Sequence, residues 1–202
     1  MSLSGYEKRP GRFTSIQQSG SKLMARHQNR GMKTVETERL IMRPFEYVDR
    51  DAFFRMGTEP AIVRYVGNNP FVDLNQAEAA LQSWFFDDYQ NYGYGRFACV
   101  WKETGEVIGF SGLQYVRQIE ETELGYRFFP EFWGRGIATE AGVASVQFAR
   151  ELGLKRLISL IDEDNLASAR VVQKLGFRKE GVQDISFWDP GFFADLYALS
   201  LE

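Results

Sequence analysis

One cysteine in 202 residues leaves Cys99 without a partner for an internal disulfide, so the disulfide-stapled class of small extracellular domains is excluded. Cys99 lies in the apolar run Phe97-Ala98-Cys99-Val100-Trp101, which predicts a buried, inert thiol. Histidine is equally scarce. The sole one, His27, falls in the N-terminal tail, so a histidine-based triad is not available to the domain, and no spacing of metal ligands stands out. No apolar run approaches the ~18 residues that a bilayer span needs. The N-terminus also lacks the continuous apolar segment of an export signal. These absences lead to the expectation of a cytoplasmic protein with no membrane contact and no metal.

What is present fits one folded domain. Hydrophobic content of 44% and charged content of 25% are those of a globular chain with a substantial core. Charge is uneven, however. Lys8, Arg9, Arg12, Lys22, Arg26 and Arg30 face only Glu7, giving the first 32 residues about +5 and the rest about −8 of the net −3. Ser, Gly and Gln in this tail predict a flexible basic extension over residues 1–33, ahead of a single domain over residues 34–202. No nucleic-acid motif accompanies the tail and the domain behind it is acidic, so nucleic acid is not an expected partner.

Periodicity gives the order β-α-α-β-β-β-α-β-α-β-β. Strands are expected at Glu38–Arg43, Arg96–Trp101, Glu106–Tyr115, Glu121–Phe129, Lys155–Ile161, Phe177–Trp188 and Phe192–Leu199. Helices are expected from Asp49 (as N-cap) to Met56, over Asn75–Tyr89, from about Gly134 to Leu152, and over Asn165–Leu175, where Gly176 stops the last. Thr104-Gly105, Asn68-Asn69-Pro70 and Asp189-Pro190-Gly191 read as turns. The result is an α+β (mixed α/β) fold around one mainly antiparallel sheet of six to seven strands with about four helices.

The most informative stretch is Trp133-Gly134-Arg135-Gly136-Ile137-Ala138-Thr139-Glu140, between a strand and a helix. A helix start leaves several N–H groups unpaired and carries partial positive charge. Two glycines one residue apart let main chain approach an anion closely, and Arg135 adds a charge-assisted contact. The Walker pattern fails for want of a Lys-Ser/Thr pair. A dinucleotide fingerprint fails because the third glycine is missing and the preceding strand belongs to a meander.

Taken together, Thr37-Glu38-Arg39-Leu40-Ile41-Met42-Arg43-Pro44, Gly105-Glu106-Val107-Ile108-Gly109-Phe110, Glu123-Leu124-Gly125-Tyr126-Arg127, Trp133 to Ala141, and Asn165-Leu166-Ala167-Ser168 with Lys174-Leu175-Gly176-Phe177 resemble the GNAT superfamily of N-acetyltransferases. The branch resembled is that of the ribosomal-protein N-terminal (serine/alanine) acetyltransferases. The superfamily's loop pattern Q/R-x-x-G-x-G/A falls on Trp133 to Ala138, with Trp133 departing at the first position. The resemblance implies acetyl-CoA as cosubstrate, its pyrophosphate on the amides of Gly134, Arg135, Gly136, Ile137, Ala138 and Thr139, beside Trp133. It also implies a sheet splayed between the fourth and fifth strands, where the pantetheine arm pairs with the backbone at Tyr126 and Phe128. Asn165 is implied to touch that arm, although helix N-capping is an equally natural use of it.

Acetyl transfer from acetyl-CoA to a primary amine needs a neutral amine, a polarised carbonyl and a protonated leaving thiolate. Glu123 is the expected general base, through water, with Glu121 on the same strand face as a substitute and a solvated strand-edge acid as the plain alternative. The superfamily's usual proton-donating tyrosine position is Val172 here; Ser168 on the same helical face is the candidate donor, directly or through water, with a solvated small helix residue as the plain alternative. Acceptors compatible with this reading are protein N-termini and small-molecule amines, and the assembly is a monomer or homodimer. A non-catalytic acyl-CoA-binding module with a regulatory role is the alternative.

Overall fold

Leu40 and Met42 are fully buried while Ile41 and Arg43 are not, the period-two signature of a strand with one face on a core. The computed structural model describes residues 32–65, 70–188 and 190–202. The basic extension with His27, most of the Asn68-Asn69-Pro70 turn and Asp189 lie outside the described residues.

Eight strands form one sheet: β1 (Val35–Glu36), β2 (Leu40–Pro44), β3 (Arg96–Trp101), β4 (Val107–Val116), β5 (Glu121–Phe128), β6 (Arg156–Ile161), β7 (Arg178–Asp184) and β8 (Phe193–Ser200). They run in the order β1-β2-β3-β4-β5-β6-β8-β7. Neighbours are antiparallel except β5 and β6, which are parallel. The strand beyond the expected six to seven is β1, whose two residues are too few to show alternation.

The helices are α1 (Arg50–Thr58), α2 (Pro60–Val63), α3 (Leu74–Leu81), α4 (Asp87–Tyr92), α5 (Ile137–Glu151) and α6 (Leu166–Lys174). Asp49 sits at the N-cap of α1, but its carboxylate is engaged elsewhere: Arg43 donates to it at 2.7 and 2.8 Å and the Glu46 N–H at 2.9 Å. The helix expected over Asn75–Tyr89 is α3 and α4 joined by a π-helical turn, Gln82–Phe86. Asp73 caps its start by accepting from the Gln76 N–H at 2.9 Å. The wider turn lets the adjacent Phe85 and Phe86 both bury completely, leaving Trp84 half-buried beside them.

Helices cover both faces of the sheet. On one, α1, the π-helical turn and α4 pack Phe53, Phe85 and Tyr89 against Phe45, Ala98 and Phe110. On the other, Ala141 and Phe148 of α5 and Val172 of α6 pack against Leu113, Leu124 and Phe97. Tyr89 joins α4 to the sheet: its hydroxyl donates to the Arg96 carbonyl at 2.5 Å and accepts from the Phe45 N–H at 3.1 Å. Cys99 is fully buried and burial pushes its thiol up, so it is held as the inert thiol the sequence predicts.

Asp88, beside Tyr89, is 8% exposed and its Oδ2 has no partner among the described residues. Burial raises its pKa to about 7, against the opposing charges of Arg96 and Arg117. A carboxyl raised on folding binds its proton more tightly in the folded state, so stability is greatest below the unfolded value near ~4 and falls as pH rises through about 7. Asp88→Asn is expected to flatten this slope. Urea midpoints should show the variant ahead by on the order of 2 kcal/mol at pH 8 and level with the natural chain at pH 4.

Candidate active site

Between β5 and α5 the chain makes a single 3-10 turn, Pro130–Phe132, and then two glycine-led turns. Gly134 and Gly136 have φ of +70° and +77°, a left-handed backbone that other residues adopt at a cost of ~1 kcal/mol. The helix therefore begins at Ile137 with Gly136 as N-cap, three residues later than the sequence suggests. Its first internal bond is Glu140 N–H to the Gly136 carbonyl. None of the six main-chain N–H groups from Gly134 to Thr139 donates to a partner among the described residues. A Cβ at Gly134 would meet nothing within 4 Å, and one at Gly136 only Arg39 Nη2 at 3.7 Å. Six free donors, an open surface and a helix N-terminus suit a diphosphate.

Glu140 holds this turn against the start of the domain. It accepts from Thr37 Oγ1 at 2.5 Å, the Arg39 N–H at 2.8 Å and Arg39 Nε at 2.6 Å. Arg39 Nη1 in turn donates to the Arg135 carbonyl at 2.9 Å. Burial raises the Glu140 pKa, but these hydrogen bonds outweigh it and the net shift is downward. Stability from this clamp is thus present at neutral pH and lost as pH falls through the carboxylate range. Glu140→Ala is expected to lower unfolding free energy by about 2–3 kcal/mol in urea titration and to loosen the turn that follows.

Next to the cradle the sheet opens. Tyr126 and Phe128 face away from β4, because the Phe129 N–H, odd-numbered like Arg127, donates to Ile108 in β4. On that far side β5 keeps register with β6 at Glu123↔Ile158 alone. One residue on, Ser159 Oγ reaches across to the Leu124 carbonyl at 3.0 Å. Beyond it the strands part. Trp133 Nε1 donates to the Phe128 carbonyl at 2.7 Å, tying the loop to the strand end.

Two cavities meet at this opening. One, of about 540 Å³, is lined by the cradle (Trp133, Gly134, Gly136, Ile137, Ala138, Thr139), by Phe128, and by α6. The other, of about 360 Å³, is lined by Arg96, Gln114, Glu123, Trp84 and the β7–β8 connection. Tyr65, Tyr126, Arg127, Asn165 and Ser168 line both. Asn165 Oδ1 caps α6 by accepting from the Ser168 N–H at 3.1 Å. The Tyr126 hydroxyl lies 2.8 Å from Ser168 Oγ and donates to its carbonyl at 3.0 Å. Burial raises the Tyr126 pKa to about 12, which keeps the phenol protonated.

A family model described as an acetyltransferase (GNAT) domain matches residues 39–178. The chain belongs to the GNAT acetyltransferases. The uncharacterized N-acetyltransferase p20 of Bacillus licheniformis is 32% identical over 173 residues, which cover 84% of this chain and 96% of that protein. An acetyltransferase of Agrobacterium tumefaciens str. C58 is 27% identical, with a TM-score of 0.71 over 95% of this chain and 99% of that one. The ribosomal-protein-S5-alanine acetyltransferase of Vibrio fischeri shares the fold, with a TM-score of 0.67 at 18% identity over 85% of this chain and 98% of that one.

The loop residues Trp133, Gly134, Gly136, Ile137, Ala138 and Thr139 line the larger cavity together with Tyr126, Phe128, Asn165 and Ser168. Three residues stand differently. The Arg135 guanidinium stacks 5.3 Å from the Trp101 ring and 5.5 Å from that of Phe132, and Arg135 lines neither cavity. Glu121 pairs with Arg156 at 3.0 Å and lines neither cavity, so it is no substitute for Glu123. Val172 is fully buried in the core beneath α6, which removes that position from the opening altogether.

Sequence reasoning missed Arg96, Gln114 and Arg127. Glu123 is 6% exposed and pairs with Arg96 Nη2 at 3.3 Å, and Arg96 Nη2 also donates to Gln114. Arg127 shares the face of β5 with Glu123. The available signal was a basic residue at two places in strands otherwise apolar on the neighbouring positions. Among the described residues no helix is long and apolar enough to cross a membrane, and no group of three or more His, Cys, Asp or Glu is arranged to hold a metal.

Proposed function

We propose that this enzyme transfers the acetyl group of acetyl-CoA directly to a primary amine seated in the 360 Å³ cavity. The observation that carries the reading is the junction: a cradle-lined cavity and a polar, aromatic-walled one open onto the same five residues where β5 leaves β6. Acetyl-CoA supplies an activated acyl group as a thioester, and the residues do the rest. The N–H groups of Gly134, Arg135, Gly136, Ile137, Ala138 and Thr139 receive the pyrophosphate, with Trp133 flanking it. The main-chain edge at Tyr126 and the N–H of Phe128, whose carbonyl is held by Trp133, orient the pantetheine as an added strand, with Asn165 opposite. The outward Phe128 N–H is suited to stabilise negative charge growing on the carbonyl oxygen.

Glu123 takes the proton of the incoming ammonium through water. An α-amine with a reference pKa near ~8 loses its proton at pH 7 for only ~1.4 kcal/mol, whereas a lysine-type amine near ~10.4 needs ~4.6. A carboxylate paired to Arg96 is therefore an adequate base for amines of the first kind. As the carbon–sulfur bond breaks, the departing thiolate receives a proton from Ser168, whose hydroxyl is backed by the Tyr126 phenol. The acceptor is either a protein N-terminus or a small molecule, in a monomer or homodimer.

The test is thiol release from acetyl-CoA against peptides of varied N-terminus, amino acids, polyamines and aminoglycosides. Turnover with at least one class, at kcat/KM above ~10⁴ M⁻¹s⁻¹, is expected. Acetyl-CoA binding with no turnover across the panel would leave only a binding module.

A further inference from the structure

The 360 Å³ cavity has a charge arrangement that a bare amine does not explain. Arg127 lines it and has no acidic partner among the described residues, while Arg96 lends one nitrogen to Glu123 and leaves its buried Nε unpartnered. Both guanidiniums lie 5.6 Å from the Phe110 ring, one from β3 and one from β5. Gly125 keeps the Arg96 edge open: a Cβ there would stand 3.2 Å from Nε and 3.4 Å from Nη2. Burial, then the neighbouring Arg96 charge, pushes the Arg127 pKa down to about 9, with Glu123 opposing. A guanidinium keeps its proton at neutral pH regardless, so Arg127 is a cation that no carboxylate among the described residues meets at ion-pair distance, even though Glu123 and Asp162 match Arg96 and Arg127 in number around the wall. The remaining acid on its wall, Asp162, accepts from the Asp164 N–H at 2.9 Å.

We infer that the acceptor is an amino-carboxylate, its carboxylate received by Arg127 and Arg96 and its apolar body by Trp84, Phe187 and Trp188. This rests on the acetyl-transfer reading above and names its substrate class. Arg127 also lines the acetyl-CoA cavity, so an anion on it lies within a few bonds of the amine being acylated. A free amino acid meets that requirement. A polyamine brings only positive charge, and a peptide N-terminus presents a neutral amide where the anion belongs. The balance is that of ordinary N-acylation: the amine nitrogen bonds to the acetyl carbon, the carbon–sulfur bond breaks, and the ammonium proton leaves through Glu123 while the thiolate is protonated.

Phenylalanine and leucine are compared with their primary amides as acceptors, beside spermidine and a tripeptide, at about pH 8, each rate being referred to the unprotonated fraction of its amine. The free acids are expected to exceed their amides at least ten-fold in kcat/KM. Arg127→Gln should bring that ratio near one, mainly through KM, and Arg127→Lys should restore part of it. Both variants are first checked for an unaltered melting transition and acetyl-CoA thermal shift. A ratio near one in the natural enzyme, a preference for spermidine or the tripeptide, or a ratio unmoved by Arg127→Gln overturns the inference while leaving acetyl transfer standing. Absence of an acetyl-CoA thermal shift, or of turnover with any amine, overturns both.

Discussion

Gly136→Glu is expected to abolish the thermal shift that acetyl-CoA gives the natural protein, a loss of at least 100-fold in affinity. The side chain enters open space, since Arg39 Nη2 at 3.7 Å is the only atom near the new Cβ. Backbone strain from the left-handed φ of +77° costs ~1 kcal/mol and leaves the fold intact. The ligand loses on two counts: a carboxylate fills the space a phosphate needs, and it adds like charge where free N–H groups had offered the opposite. Arg39 is within reach of that carboxylate, so the steric count is the more dependable one. Gly136→Ala separates the effects, carrying the same strain with neither charge nor reach. Differential scanning fluorimetry across an acetyl-CoA titration reads all three proteins. Should Gly136→Glu keep natural affinity, the cradle is not the phosphate site.

Glu123→Gln is expected to lower kcat about 100-fold at pH 7, with the deficit shrinking as pH approaches that at which the acceptor amine loses its own proton. The amide cannot accept a proton, so the pH–rate profile should steepen on the alkaline side. A second effect runs beside it. Glu123 is buried against Arg96, and removing its charge leaves a cation in a nearly closed site. Glutamine still offers an acceptor oxygen to Arg96, so the stability loss should be about 1–3 kcal/mol, against 3–5 for Glu123→Ala. Urea denaturation measures that loss independently of rate. A rate deficit that persists unchanged to high pH would make Glu123 a positioning residue for Arg96 and not a base.

Most of the sheet and the glycine turns before α5 were legible because they are repeated local statements. Leu40 and Met42 alternate with Ile41 and Arg43, Gly93 and Gly176 stop helices with positive φ, and the two glycines before α5 both take positive φ. The errors have equally local causes. A two-residue strand shows no period, so β1 went unseen. The π turn at Gln82–Phe86 inserts a residue into a pattern that otherwise reads as one helix. Gly136 serves as N-cap, which a reading of glycine-led helices starts too early. The 360 Å³ cavity was the least legible part. Arg96, Gln114, Glu123 and Arg127 come from three strands and meet only through cross-strand register, Gln114↔Glu123 and Phe110↔Arg127. Taken singly, a charged residue in a strand reads as a solvent-facing position.

Phe110 has two neighbourhoods at once. Its ring packs 5.5 Å from Phe85 and 6.3 Å from Phe45 in the buried aromatic layer, and it is also the surface beneath both guanidiniums. Foldedness and substrate choice are consequently inherited together at this point of the molecule. A lineage drifting toward a different amine would have to alter the floor of the site and the interior in one step, whereas Phe187 and Trp188, which stack on each other outside both core clusters, are free to vary without that penalty.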